Sequence, residues 1–349
     1  MQAVLPPKIE IKSVVSKIKK KILRKKISVY LFLFIGLAIL AWLIYSIDWN
    51  ILRTSFTMVG YDIFYVFFIA IIWITCNVAC LNVLSAGKIP FLYLMYTQIT
   101  GDAYNAITPF GGLGGVPVKI KHLTKYINFH EASETVIRDQ LMHTLSGIMM
   151  TAILSIVAIF VLPLEDAYII PFLITGIAFS VISVLFTLLI FSEKPGKLLE
   201  KLLQKVKMVS DYRSNPIETT TFLKALGFKM LGRVLSIVEL WIIFLLLNFS
   251  PNFLDLITVM TMLTVSSSVM FIFPQGIGVH EASITGAFKI LGYSAAMGLS
   301  FGLIRRARSL FWVLFGIVLH LVGVLLYQNK TTIPTPTNKD KSTLARNKN

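Results

Sequence analysis

The sequence predicts an all-α, polytopic integral membrane protein with about six full spans plus two opposed re-entrant broken-helix hairpins, and three observations carry that prediction. Of 349 residues, 56% are apolar and only 14% charged, with a mean hydropathy of +0.76; soluble domains are far more polar. Apolar runs long enough to cross a bilayer recur along the chain. The 33 Lys/Arg against 17 Asp/Glu fall almost entirely between those runs, where the anionic inner leaflet attracts them. The +16 charge therefore belongs to a membrane surface rather than to nucleic acid. Intrinsic disorder, a secreted disulfide scaffold and a soluble nucleotide-binding enzyme are excluded as the main body. Cys76 and Cys80, one helical turn apart in an apolar run with no further ligand residues nearby, read as buried thiols.

Residues 1–26 form a basic cytoplasmic segment, with nine Lys/Arg between Lys8 and Lys26. The transmembrane region follows over 27–329. Its first span, Ile27 to Ile47, is a signal-anchor helix, since bulky Tyr45 to Trp49 offers no cleavage site. The positive-inside rule keeps the N-terminus in the cytoplasm. Tyr61 to Leu84 returns to Lys88. Thr135 to Leu162 leaves toward the acidic turn Leu164-Glu165-Asp166, and Tyr168 to Phe191 comes back to the basic connection 192–229, with eight Lys/Arg against four acids. Within it, Lys194 to Lys207 is amphipathic and suits the inner leaflet or a soluble partner. Met230 to Asn248 exits again, and the polar tail 330–349, with five Lys/Arg and one acid, is cytoplasmic.

Two apolar stretches do not fit as simple spans. Phe91 to Val118 lies between two inside segments and is interrupted by Thr108-Pro109-Phe110-Gly111-Gly112-Leu113-Gly114-Gly115-Val116-Pro117. Two prolines without donors and four glycines break a helix there, so a re-entrant hairpin is expected. Leu256 to Leu291 starts outside and is broken by Phe273-Pro274-Gln275-Gly276-Ile277-Gly278-Val279-His280-Glu281, which predicts a second hairpin from the opposite face. Both breaks share a Pro-x-Gly start and a Gly-Val end. Their placement in opposite halves fits a possible inverted repeat, in which unwound backbone lines the binding site. The alternative is two Gly/Pro kinks in packed helices.

Ser294 to Tyr327 must make an odd number of crossings to return inside, yet it holds Arg305, Arg306 and Arg308. A helix from Ser294 places Arg305 roughly 17 Å along its path, near mid-core. Each charge at that depth costs about 2.5 kcal/mol or more and has to face a cavity or a partner. The competing reading is a cytoplasmic loop between two short helices.

Among the other ionisable groups, Glu281 at the start of a half-helix is the best placed, either as a counter-ion to the arginines or as a capping carboxylate. Asp102, on the helix leading into the first break, either lines the same cavity or caps at the interface. Arg138-Asp139 reads as an interfacial ion pair, with a lipid-headgroup contact as the alternative. Glu239 has no local partner, because Arg233 lies on another face. His143 and His320 read as helix-packing donors, Lys289 is a further candidate, and no metal or cofactor site is expected. Gly111 and Gly112 lack the Gly-Lys-Ser/Thr ending of a phosphate loop, but their N–H groups can meet an anionic headgroup with Lys119 and Lys121 close behind.

Ile107 to Lys119, Phe273 to Ala282 and Arg305 in a late helix together resemble the flippase-like transmembrane family named for the membrane region of lysylphosphatidylglycerol synthase, the multiple peptide resistance factor. The resemblance runs from about Lys26 to Tyr327. Val116 stands where that family carries an acid, and Gln275 replaces its first glycine. The resemblance implies a region that moves an anionic, aminoacylated or polyprenyl-linked lipid between leaflets, with membrane phospholipid or glycolipid as partner. The family's synthase chemistry, lysine transfer from lysyl-tRNA to phosphatidylglycerol, resides in a soluble domain. The roughly twenty residues after Tyr327 are too few to fold one.

The leading expectation is therefore a lipid flippase at the cytoplasmic membrane, with the headgroup held by Arg305, Arg306 and the N–H groups near Gly276 and Gly278. Gly111, Gly112 and Lys119 sit at the opposed break, and Asp102 or Glu281 serves for coupling. The alternatives are a phosphatidylglycerol lysyltransferase using tRNA, the membrane subunit of a lipid-modifying pair, and a proton-coupled anion transporter.

Overall fold

The computed structural model describes residues 53–54, 57, 59–108, 114–161, 166–191, 217–267 and 278–328. Within them every regular element is a helix. The expected signal anchor 27–47, the basic segment 1–26, Pro109 to Leu113, the stretch 194–207, Pro274 to Ile277 with Gly276, and the tail 330–349 lie outside the described residues. After a 3-10 turn at Gly60–Asp62 come α1 (Ile63–Ile69), α2 (Ile71–Leu84), α3 (Phe91–Ile107), α4 (Val116–Leu123), α5 (Phe129–Val161) and α6 (Asp166–Phe191). They are followed by α7 (Thr219–Leu235), α8 (Ile237–Leu246), α9 (Phe253–Ser267), α10 (Val279–Ile290) and α11 (Ala295–Gln328).

Four helical segments among the described residues are long and apolar enough to cross a membrane: Gly60–Leu84, Phe129–Val161, Ile169–Leu188 and Ala295–Leu325. The chain is a multi-pass membrane protein. In contrast, α3 has 17 residues, α4 8, α9 15 and α10 12, all short of the ~20 that a hydrocarbon core needs. In each half the two short helices pack on one another. They are the arms of the two expected hairpins.

An internal repeat organises the whole. A shift of 166 residues carries the joint at Ala70 onto the joint at Ser236, and Phe129, where α5 begins, onto Ala295, where α11 begins. The helix-capping residues obey the same shift. Asn128 accepts the Glu131 N–H at 2.9 Å and Ser294 accepts the Met297 N–H at 3.3 Å, each satisfying a donor that the first turn would leave bare. Packing repeats as well. The α2–α3, α3–α4 and α4–α5 contacts recur as α8–α9, α9–α10 and α10–α11. Each long helix also packs on the first hairpin arm of the other half, α11 on α3 and α5 on α9. Because α1 packs on α8 and α2 on α7, equivalent helices run antiparallel, the relation expected of inverted repeats. Helix α6 has no counterpart among the described residues.

Each half has its own apolar core. Ala70, Val78, Leu81, Leu94, Ile120 and Val136 fill the first. Phe244, Phe288 and Phe301, fully buried and 5.0 to 5.4 Å apart by ring centroid, anchor the second. Small residues set how near the helices come. A Cβ on Gly316 of α11 would sit 2.7 Å from the Ala103 Cβ and 2.8 Å from the Ile99 carbonyl of α3, and one on Gly298 would sit 2.7 Å from the Thr285 Cα of α10.

Three sequence expectations change. Helix α7 begins at Thr219 rather than at Met230, so the basic connection ends sooner and Lys229 lies inside a helix. Hydropathy misplaced it because the first three turns of α7 are polar enough to read as loop. Helix α5 likewise starts at Phe129, ahead of Thr135. Helix α11 runs unbroken from Ala295 to Gln328, which sets aside the loop reading of Arg305 to Arg308. Cys76 and Cys80 are buried and free, as expected.

Replacing Gly316 by Leu would force α11 away from α3. We expect a loss of about 1 to 3 kcal/mol, read as a lowered melting temperature in detergent. Gly227→Ala, where no atom stands within 4 Å of the added Cβ, is expected to hold or raise stability by up to about 1 kcal/mol.

Candidate functional site

Among the described residues, most of the buried charged side chains gather in two networks, one per half, built from equivalent elements but with opposite signs. In the first, α4 supplies a cation and α5 an acid. Lys119 donates to Gln98 Oε1 at 3.0 Å and lies 3.2 Å from Asp102 and 3.8 Å from Asp139. Lys229, from α7 of the other half, pairs with Asp139 at 2.7 Å and donates to Asn77 Oδ1 at 3.0 Å. The side chains of Lys119, Asp139 and Lys229 are all under 5% exposed, whereas Asp102 is 47% exposed and opens the network to its surroundings. Lys119 reaches this position across Gly101, where an added Cβ would overlap the lysine stem.

In the second network α10 supplies the acid and α11 the cations. Glu281 Oε2 accepts the Gly278 N–H at 2.8 Å, and Oε1 accepts Arg306 Nε at 2.9 Å and Nη2 at 2.7 Å. Both sequence readings of Glu281, cap and counter-ion, hold at once, one oxygen each. Gly278 has φ of 81°, a conformation glycine adopts freely, and it turns the N–H back toward that carboxylate. Glu239, 1% exposed, lies 2.7 Å from Arg308 and 3.4 Å from Arg305. Arg308 also covers the ring of Trp73 at 4.9 Å, an attraction that adds to the ion pair. Among the described residues, Arg305 makes no other polar contact than the one to Glu239.

Between the networks stands Arg233, in the last turn of α7, where helix carbonyls favour a cation. It donates to Ser146 Oγ and to the His143 carbonyl, both at 2.9 Å. Those partners are neutral. Ser236, at the joint that follows, returns its hydroxyl to the Arg233 carbonyl at 2.6 Å, a back-bond that bends helices.

The 166-residue shift extends to these contacts. It carries Phe67 onto Arg233 and Ser146 onto Trp312, and Trp312 Nε1 donates to the Phe67 carbonyl at 2.7 Å, the counterpart of Arg233 donating to Ser146. It carries Asp139 onto Arg305 and Trp73 onto Glu239. The scaffold positions coincide, and at one of them, Asp139 against Arg305, the charge is reversed.

Several sequence-predicted residues therefore meet. Arg306 joins Glu281, and Lys119 joins Asp102. Arg305 instead faces Glu239, whose missing partner the structure supplies from α11. The expected Arg138–Asp139 pair is not formed: Arg138 pairs with Glu134 one turn away at 2.5 Å, and Asp139 turns to the two lysines. Adjacent residues on a helix diverge by about 100°, which separates the two. Gly111, Gly112 and Gly276 lie outside the described residues. Lys289 is exposed in the last turn of α10. Sequence reasoning missed Lys229 as a member of the networks, and it placed Arg308 in the arginine cluster without naming its partner. The signal for Lys229 was present, since Phe222, Ala225, Lys229 and Gly232 form one buried stripe of α7 at helical spacing.

The model of the lysylphosphatidylglycerol synthase TM region matches residues 29–317. The chain belongs to that family. No curated protein matches it. Membership of the lysylphosphatidylglycerol synthase TM-region family gives the chain a membrane lipid-related role and confirms the resemblance drawn from the two Gly/Pro breaks. In this family member Gly115 occupies the place that the repeat assigns to Glu281. It packs against Gly101, and its N–H bonds Asn105 Oδ1 at 2.6 Å, so the first hairpin arm carries its charge one turn later, at Lys119.

Lys229→Met would leave Asp139 buried with only the more distant Lys119. A loss of about 3 to 5 kcal/mol in unfolding free energy is expected. Adding Asp139→Leu is expected to recover most of it in a double-mutant cycle, since a buried pair exchanged for apolar residues is nearly neutral.

Proposed function

We propose that the protein is a lipid translocator, moving a lipid with a charged headgroup between leaflets of the cytoplasmic membrane by alternating access at the two opposed hairpins. The observation that carries this reading is the arginine triad Arg305, Arg306 and Arg308. It lies within one continuous 34-residue helix, and its carboxylates come from a hairpin arm and a jointed helix. Charged groups at such depth serve pathways or binding sites far more often than they serve stability.

Arg305 is the group offered to the headgroup. It shares Glu239 with Arg308, holds it at only 3.4 Å, and has the most exposed side chain of the three at 22%. Arg306 joins when Glu281 is released from it. Each charge-assisted contact with a phosphate contributes about 1.5 to 3 kcal/mol, so a few of them offset drawing the headgroup inward. Asp102, half exposed beside Lys119, is the candidate coupling group at the first hairpin. Both termini lie on the cytoplasmic side, where the basic segments meet the anionic leaflet. The family description favours one second reading, a phosphatidylglycerol lysyltransferase or the membrane subunit of one, with lysyl-tRNA as donor and a soluble partner as a possible component.

In proteoliposomes, Arg305→Ala is expected to reduce translocation of a fluorescent phospholipid at least tenfold while expression and melting temperature stay near the parent's, and Arg306→Ala to abolish it. Unchanged rates in both would overturn the translocator. Labelled lipid formed on incubation with lysyl-tRNA and phosphatidylglycerol would install the transferase instead.

A further inference from the structure

The charged groups that join the two halves do not sum to zero. The cations are Lys119, Lys229, Arg233, Arg305, Arg306 and Arg308, and the acids are Asp102, Asp139, Glu239 and Glu281. Six against four leaves two positive charges. Among the described residues the further ion pairs do not change the difference, because Lys88–Glu131 and Arg138–Glu134 each bring one of either sign. Asp255 and Lys289 stand at the end of the second hairpin away from its break, again one of each sign. The interrupted segments 109–113 and 268–277 contain no Asp, Glu, Lys or Arg.

The surplus can be placed. Lys119 and Lys229 answer Asp102 and Asp139, so the first network is even. The second has three arginines for two glutamates, and its least committed member is Arg305. The other surplus charge is Arg233, with a hydroxyl and a carbonyl as partners. Arg233 and Glu239, the carboxylate Arg305 touches, are six residues apart along α7 and α8, about 9 Å at helical rise. Arg233 thus sits on the jointed helix itself, and Arg305 reaches that helix from α11 through Glu239. Uncompensated cations away from water are expensive, and an incoming anion relieves them.

We infer that the site takes a lipid whose headgroup is net anionic and carries no ammonium group, a phosphate mono- or diester, and that it discriminates against aminoacylated lipids. This rests on the translocator reading and narrows its substrate. A phosphate monoester brings two negative charges and matches the surplus. A phosphodiester brings one and halves it. A lysyl ester of such a lipid, with two ammonium groups for one phosphate, enlarges it. Its ammonium groups would also need Glu239 and Glu281, which the arginines already hold.

The test uses the full chain in phosphatidylcholine vesicles with acyl-labelled phosphatidic acid, phosphatidylglycerol, phosphatidylethanolamine and lysyl-phosphatidylglycerol, scoring translocation by dithionite quenching. Retention of the same four lipids by the detergent-purified protein is scored by native mass spectrometry. Phosphatidic acid and phosphatidylglycerol are expected to exceed the other two at least tenfold in both readouts. Arg305→Gln and Arg233→Gln should each narrow that preference several-fold, and Arg305→Lys should keep it. Equal or better handling of lysyl-phosphatidylglycerol overturns the inference. If no lipid moves, the translocator fails, and the order of retention still decides the charge preference. Millimolar glycerol phosphate is expected to leave retained phosphatidic acid in place; its displacement would make the ligand a soluble phosphate ester and overturn the lipid assignment.

Discussion

A charge that enters a bilayer has to meet either an opposite charge or water, and this requirement shapes the interior of the protein. Long helices could cross as apolar rods with no further instruction. The polar side chains are what demand particular neighbours. Asp139 on α5 is tolerable only where α4 and α7 bring Lys119 and Lys229 to it, so three helices are fixed in rotation by one carboxylate. Glu239 does the same for α8 and α11, and Glu281 for α10 and α11. Apolar packing supplies much of the attraction. It is poorly selective among rotations, since hydrocarbon faces can exchange for lipid, whereas a misrotated α11 would expose three arginines to the core.

The repeat explains how so many charges came to be placed on equivalent elements. Joints at Ala70 and Ser236, caps at Asn128 and Ser294, and the paired donors Arg233 and Trp312 follow one spacing. The geometry is conserved between the halves and the chemistry is inverted. Asp139 stands where Arg305 stands, and a cation on the first hairpin arm answers an acid on the second. Opposite signs on equivalent elements give each network both cations and acids. They also let Lys229 cross to Asp139, and Arg308 to the ring of Trp73, tying the halves together. Had Asp139 been a cation like its counterpart Arg305, the contact with Lys229 would have been repulsive.

Much of the architecture was legible in the sequence because its signals are local. Proline and glycine at 109–117 and 274–278 break helices whatever surrounds them, and apolar length sets the spans. Arg305 and Arg306 could be read for the same reason, since a helix starting near Ser294 carries both along its path, and Glu281 because it opens the half-helix after the second break. What stayed hidden was relational. Glu239 has no partner within its own helix, and nothing in one sequence says that it meets residues 305 and 308. Asp139 was assigned to its neighbour Arg138 because adjacency in sequence was the available clue, though helical rotation points the two apart. Lys229 was lost to averaging: hydropathy over a window dilutes one buried lysine among the polar residues that open α7, while the stripe of Phe222, Ala225 and Gly232 around it keeps its helical period.

Sign inversion between the halves also bears on how such a protein could work. In a translocator made of inverted repeats, the two end states arise as each half adopts the conformation the other has left. With identical halves those states would be equal in energy. Here they would not be, because the first network is even in charge, with Lys229 supplied by the other half, and the second, with Arg233 beside it, is cationic. An anionic load would stabilise the state that opens the arginine-bearing half more than the state that opens the other. The bias could not exceed the difference in affinity between the two states. Direction would then be set by the electrostatic asymmetry between Asp139 and Arg305, two residues at the same place in the fold.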